Sequence, residues 1–213
     1  MVGITAYGAY IPWHRINRMT IYWTIGFVNQ ATIAPGEKAV ANYDEDSLSM
    51  AVNAGADCLT GIDRSKIDGL YLATTTAPYK ERQNAGIIST ALDLKPEARS
   101  ADFTASLKAG TTAVLAACDA VKAETANNIL VCASDCRLGP AGSFQEENYG
   151  DAAAAVLAGD SRDPAMGVPQ GPAARAHSRR ADLSMDWQRG LAPPQRGLVV
   201  SPHGSFLRRR VTR

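Results

Sequence analysis

The stretch "NNILVCAS" (127–134) restricts the fold more than any other, because it is an uninterrupted apolar run placed directly after the alanine-rich helix pattern "KAGTTAVLAACDAVKAETA" (108–126). A strand apolar on both sides belongs in the centre of a sheet covered by helices on both faces. The alanines let neighbouring layers approach closely, so the helix over 108–126 is expected to be buried on most sides.

The same alternation recurs along the chain. "VGITAYGAYIP" (2–12) alternates Val2, Ile4 and Ala6 with small or polar residues and ends at a proline, as an opening strand does. "ANYDEDSLSMAVNAGADCLTG" (41–61) starts acidic, places Leu48, Val52, Ala56 and Leu59 on one side and stops at Gly61, which predicts a helix. "KIDGLYLATTT" (66–76) predicts a strand, "RQNAGIISTALDL" (82–94) a helix, "ARSADFTAS" (98–106) a short strand and "GDAAAAVLAGD" (150–160) a core strand of small residues. Strands alternating with helices make the class α/β, with a mixed, mainly parallel sheet covered by helices.

Charge divides the chain. Residues 1–160 hold 12 Lys+Arg against 18 Asp+Glu, and residues 161–213 hold 10 against 3, with six of the 11 prolines, no lysine and no helical or strand period. The division expected is therefore a folded domain over 1–160 and an Arg/Pro-rich tail over 161–213. Such a tail reads either as a solvated basic segment or as a reading frame translated out of register, which would make the chain truncated. Without aromatic interleaving or a folded motif it does not specify a nucleic-acid module.

The four cysteines fit neither a zinc knuckle nor a CxxC redox motif. Cys58 and Cys118 read as buried small hydrophobes, and Cys132 and Cys136 as a structural pair across a strand end. "DEDS" (44–47) is explained by acidic residues favouring a helix N-terminus, so no metal is assigned. No apolar stretch approaches the roughly 20 residues that span a bilayer, and the N-terminus lacks a secretory pattern. The expected location is the cytoplasm.

At "TASLKAGTTA" (104–113) a strand runs straight into a helix, a junction at which enzymes display nucleophiles. Together with "KIDGLYLATTTAPYKERQNAGIISTALDL", "NILVCASDCRLG" and "YGDAAAAVLAGD", the run "SADFTASLKAGTTAVLAACDAVKA" resembles the N-terminal half of a thiolase-fold condensing enzyme, nearest the 3-hydroxy-3-methylglutaryl-CoA synthase family. The resemblance covers residues 1–160. It implies a thiolase-like layered fold and a cysteine at the helix head that takes an acyl group from acyl-CoA. A second acyl-CoA is then condensed with a glutamate as acid/base and a histidine assisting.

Neither of the first two reactive groups is present. The resemblance places the nucleophile at Leu107, which forms no thioester, and the acid/base at Thr75, which is no carboxylate. Ser106 is a weak substitute, better explained as a turn or helix-capping residue that accepts a backbone N–H, since His14 is the only histidine before residue 161. Lys108 either steadies a phosphate or oxyanion or is a solvated first-turn lysine, and His177 and His203 take no role.

Two functions follow from the resemblance. One is an acyl-CoA enzyme that forms or cleaves a carbon–carbon bond beside a thioester without an acyl-enzyme. The other is a non-catalytic thiolase-like subunit that binds acyl-CoA or a zinc-ribbon/OB-fold partner. Acyl-CoA is expected as substrate, with no tightly bound cofactor, no membrane and no specific nucleic acid as partner. The assembly expected is a homodimer or such a hetero-oligomer.

Overall fold

The computed structural model describes residues 2–25, 31 and 33–160. Five strands form one sheet in the order β1-β7-β6-β4-β5, comprising β1 (Val2–Tyr10), β4 (Gly69–Ala73), β5 (Arg99–Phe103), β6 (Ile129–Asp135) and β7 (Ala152–Asp160). β4 pairs in parallel with β5 and β6, while β7 is antiparallel to both β6 and β1. Four of the five strands therefore point the same way, and β7 alone is reversed. The sheet is mixed and mainly parallel, as the alternation of elements predicts.

Period-two alternation in the strands sorts the core into two layers. Leu70 and Leu72 of β4, Leu130 and Cys132 of β6 and Leu157 of β7 face α2 (Ser47–Cys58) and α3 (Asn84–Ala91), where Met50 and Ile88 are fully buried. Tyr71, Ile129, Val131 and Val156 face α4 (Ala109–Lys122) through its Ala113 and Ala117. Helices thus cover both sheet faces, as the apolar run at 127–134 requires. The contact on the first side is tight at Gly8 of β1, where a Cβ would lie 2.3 Å from the backbone N of Cys58.

Helix ends follow from local chemistry. Asp46 caps α2, its Oδ1 accepting the N–H groups of Leu48 and Ser49 while Ser49 Oγ accepts that of Asp46, so the acidic run at 44–47 supplies a capping box. Left-handed residues close α3 at Asp93 and α4 at Glu124, where Leu94 N–H reaches back to Ser89 O and Thr125 N–H to Ala120 O.

Several sequence expectations need correction. The threonines that extend β-propensity to residue 76 leave the sheet after Ala73 and turn toward Asp135. The helix over 108–126 is buried along one stripe only (Ala109, Ala113, Ala117 and Val121), while Leu115 is 65% exposed, because a single sheet face packs against it. Cys118 is half-buried rather than buried, and Cys132 is the fully buried thiol. Between β1 and α2 lies an excursion that no apolar period announces, in which β2 (His14–Asn17) pairs antiparallel with β3 (Glu37–Val40) and is followed by α1 (Arg18–Ile25). The expected tail over 161–213 lies outside the described residues.

Candidate active site

The carboxyl ends of β4 and β6, the first turn of α4 and the segment between β6 and β7 enclose an open cleft of about 530 Å³. Carboxyl ends of parallel strands are where open α/β sheets bind ligands. Thr75, Ser106 and Leu107 all line this cleft, so residues 30 apart in sequence meet there. Lys108 is exposed and is not among the lining residues; its carbonyl accepts the Thr112 N–H and the Thr111 hydroxyl.

The strand-to-helix junction is held in an unusual conformation. Ala105 has φ +60°, and it is the described non-glycine residue of positive φ that ends no helix. That conformation costs an L-residue roughly 1–2 kcal/mol, and it turns the chain sharply from β5 into α4. Ser106 Oγ accepts the Lys108 N–H at 3.2 Å and its carbonyl accepts that of Ala109, which fixes the turn. Leu107 is left 81% exposed at the positive end of a 14-residue helix.

Opposite the junction, Asp135 organises the three threonines. Its Oδ1 accepts from Thr74 Oγ1 at 3.0 Å, from Thr75 N at 2.6 Å and Oγ1 at 3.0 Å, and from Thr76 Oγ1 at 3.3 Å. Thr76 Oγ1 in turn accepts the Cys136 N–H at 3.0 Å. Thr75 Oγ1 also accepts from Arg137 Nε at 3.1 Å, and the Arg137 guanidinium sits 5.4 Å from the centre of the Tyr149 ring. Arg137 and Tyr149 both line the cleft.

No cysteine lies among the lining residues. Cys136 follows Asp135 directly, but burial, helped by the neighbouring Asp151 carboxylate, pushes its thiol up to about 11. Cys58 is pushed up to about 12 by burial and then by Asp57, and Cys132 is raised further by burial and by Cys58. All three are protonated thiols near neutral pH. His14 stands on β2, paired with Val40, and is not part of the cleft wall.

Comparison with known proteins places this geometry. No protein-family model matches the chain. The chain is 30% identical over 190 residues to the hydroxymethylglutaryl-CoA synthase of Pyrococcus furiosus, an alignment covering 88% of the chain and 52% of that enzyme. It is 28% identical over 202 residues to the synthase of Methanosarcina barkeri, covering 92% of the chain and 57% of the enzyme. Among solved structures it superposes on MvaS in complex with 3-hydroxy-3-methylglutaryl coenzyme A with a TM-score of 0.69 at 24% identity, over 76% of the chain and 40% of that protein. On the 3-oxoacyl-(acyl carrier protein) synthase III of Pseudomonas aeruginosa the TM-score is 0.67 at 20% identity, over 76% of the chain and 53% of that protein. This chain is a thiolase-fold relative of the hydroxymethylglutaryl-CoA synthases.

The chain spans about half the length of the curated synthases it matches. One expectation is corrected here. The likeness to the hydroxymethylglutaryl-CoA synthases covers 88% of the chain, a share that residues 1–160 alone do not reach, so it runs past Asp160. Sequence reasoning did not single out Asp135, Arg137 or Tyr149. The partner of Arg137 is Thr75, 62 positions earlier, and only the parallel pairing of β4 with β6 brings the two together. The available signal was a charged pair, Asp135 and Arg137, at the end of an otherwise apolar strand.

Proposed function

We propose that the chain supplies the acyl-thioester cleft of a hydroxymethylglutaryl-CoA synthase-like protein and acts on acyl-CoA without forming an acyl-enzyme. The observation that carries this reading is the meeting of Leu107 and Thr75 in one cleft at the head of α4. These are the positions to which the resemblance gives a nucleophilic cysteine and an acid/base glutamate. The positive end of α4 remains suited to a developing enolate or alkoxide beside a thioester, a contribution that needs no covalent bond. Bond formation or cleavage at the carbon next to the thioester then relies on electrostatic stabilisation.

A second reading keeps the binding and drops the chemistry. It is favoured by the lining residues, which include neither cysteine, histidine nor glutamate, and whose one carboxylate, Asp135, is engaged by threonine donors. The chain would then be an acyl-CoA-binding subunit completed by a second polypeptide, of which a zinc-ribbon or OB-fold protein is one type.

Intact-mass measurement after incubation with acetyl-CoA, paired with calorimetric titration of CoA, tests the proposal. The expected result is CoA binding with no acetyl adduct. An adduct on Ser106 or on any cysteine would overturn the non-covalent mechanism, and failure to bind CoA would overturn both readings. Carbon–carbon chemistry on acyl-CoA by the chain separates the first reading from the second.

A further inference from the structure

Helices cover the two faces of the sheet unequally. α2 and α3 lie on one face, and among the described residues α4 is the one helix on the other. A helix with its side chains is about 10 Å wide, the width of two strands about 4.8 Å apart, so one helix leaves part of a five-stranded sheet bare. α4 packs over β4, β6 and β7 through Ala113 and Ala117, and the bare part is the β1 edge. Cross-strand partners point to the same face, and Ile4 is paired with Ala158, Tyr7 with Val156 and Ala9 with Ala154. Ala158 and Val156 belong to the layer under α4. Ile4, Tyr7 and Ala9 therefore face the α4 side, where Ile4 is 50% and Tyr7 41% exposed. Beside this strip stands the outer ridge of α4, with Leu115 at mid-helix 65% exposed and the charges of Asp119 and Lys122 confined to the last turns.

We infer that a second copy of the chain docks on this face, the ridge of each α4 seated on the other copy's β1 strip about a two-fold axis. Ridge and strip lie on the same side of one molecule, which is what makes a second copy the fitting occupant. A two-fold rotation that carries the ridge onto the partner's strip carries the partner's ridge onto this strip, so both are covered at once. The strip is uncharged, and Ala9 and Ala154, both exposed, are small enough to let a helix approach closely. The area also suffices. A helix of 14 residues is about 21 Å long and about 10 Å wide, so two such contacts, counted on both surfaces, bury roughly 1,000 Å², the size at which an interface becomes specific. Leu115, midway along α4, stands at the centre of each contact.

Sedimentation equilibrium of the full chain tests this. The expected result is a reversible dimer with a dissociation constant on the order of micromolar, as an apolar interface of this size provides. Leu115→Arg, at an exposed position that contributes little to the fold of one copy, is expected to raise that constant about a hundredfold, because it would bury an unpaired charge. Tyr7→Arg alters the strip instead of the ridge and is expected to do the same. It carries the comparison if circular dichroism shows that Leu115→Arg does not fold. Tyr43→Arg, at a fully exposed position between β3 and α2, is expected to leave the dimer unchanged. A wild-type chain that stays monomeric would overturn the inference and leave the face to another segment or another polypeptide. A dimer that survives either substitution in a folded chain would overturn it by placing the contact elsewhere. Equal weakening by Tyr43→Arg would overturn it by reducing the effect to net charge.

Discussion

The carboxylate of Asp102 on β5 straddles the head of α3, Oδ1 accepting the N–H of Ala85 and Oδ2 that of Asn84, each at 2.7 Å. Gln83, which occupies the helix's own capping position, makes no side-chain capping bond, so a residue from the neighbouring strand does that work. The Asn84 side chain adds a further bond to Oδ2 at 3.1 Å and bridges to Tyr79 O at 3.0 Å. Asp102→Ala leaves two helix-start donors and a buried asparagine short of a partner. A loss of about 2 kcal/mol is expected in urea unfolding, from a lost cap together with the lost interaction of a charge with the helix dipole. Asp102→Asn, which keeps one acceptor and drops the charge, is expected to lose about half of that. A loss below about 0.5 kcal/mol for Asp102→Ala would show that the helix start is satisfied without it.

Buried thiols give the protein an alkaline limit. Burial raises Cys58, with Asp57 adding to it, to about 12 and raises Cys132 beyond its ordinary value, while an unfolded cysteine titrates near 8.5. Between those values the unfolded chain has lost the thiol proton and the folded chain has kept it, so stability is full below about pH 8.5 and falls as pH rises. Each buried thiol contributes a slope of about 1.4 kcal/mol per pH unit in that window. Denaturant unfolding between pH 8.5 and 10.5 is expected to show a shallower decline for Cys132→Ala than for the wild type. Identical slopes would mean that the thiol is solvated in the folded protein.

Legibility in the sequence followed the range of the interactions. The strand at 127–134 was readable because it is apolar on both faces, Leu130 and Cys132 packing on one side of the sheet and Ile129 and Val131 on the other, and the helices over 41–61 and 82–94 because each buries one periodic set of side chains. The excursion through β2, α1 and β3 was not. Its strands are four residues each, and their pairing of His14 with Val40 spans more than 20 positions without an apolar period. The threonines at 74–76 have high β-propensity, and only a carboxylate 60 positions away draws them out of the sheet. Leu107 and Thr75, which the resemblance leads one to expect at a site, do line one cleft, whereas the placement of Arg137 there depends on a side chain brought to it by tertiary structure. Such a contact leaves no local pattern to read.

Leu107 offers a direct probe of what the junction still does to whatever side chain stands there. It is 81% exposed, it stands next to Lys108, the residue in the capping position of α4, and it shares its cleft with Arg137. A thiol at this position meets the positive end of the helix and a nearby guanidinium, both of which favour thiolate, and it lacks the burial that keeps Cys58, Cys132 and Cys136 protonated. Leu107→Cys is therefore expected to be alkylated by iodoacetamide at pH 7 about tenfold faster than any native cysteine, followed by intact mass and located by peptide mapping. Stability should change little, since an exposed leucine contributes little packing. First labelling at Cys118 or Cys136 instead would mean that the junction confers no activation. The electrostatic basis proposed for non-covalent thioester chemistry at this cleft would then be lost with it.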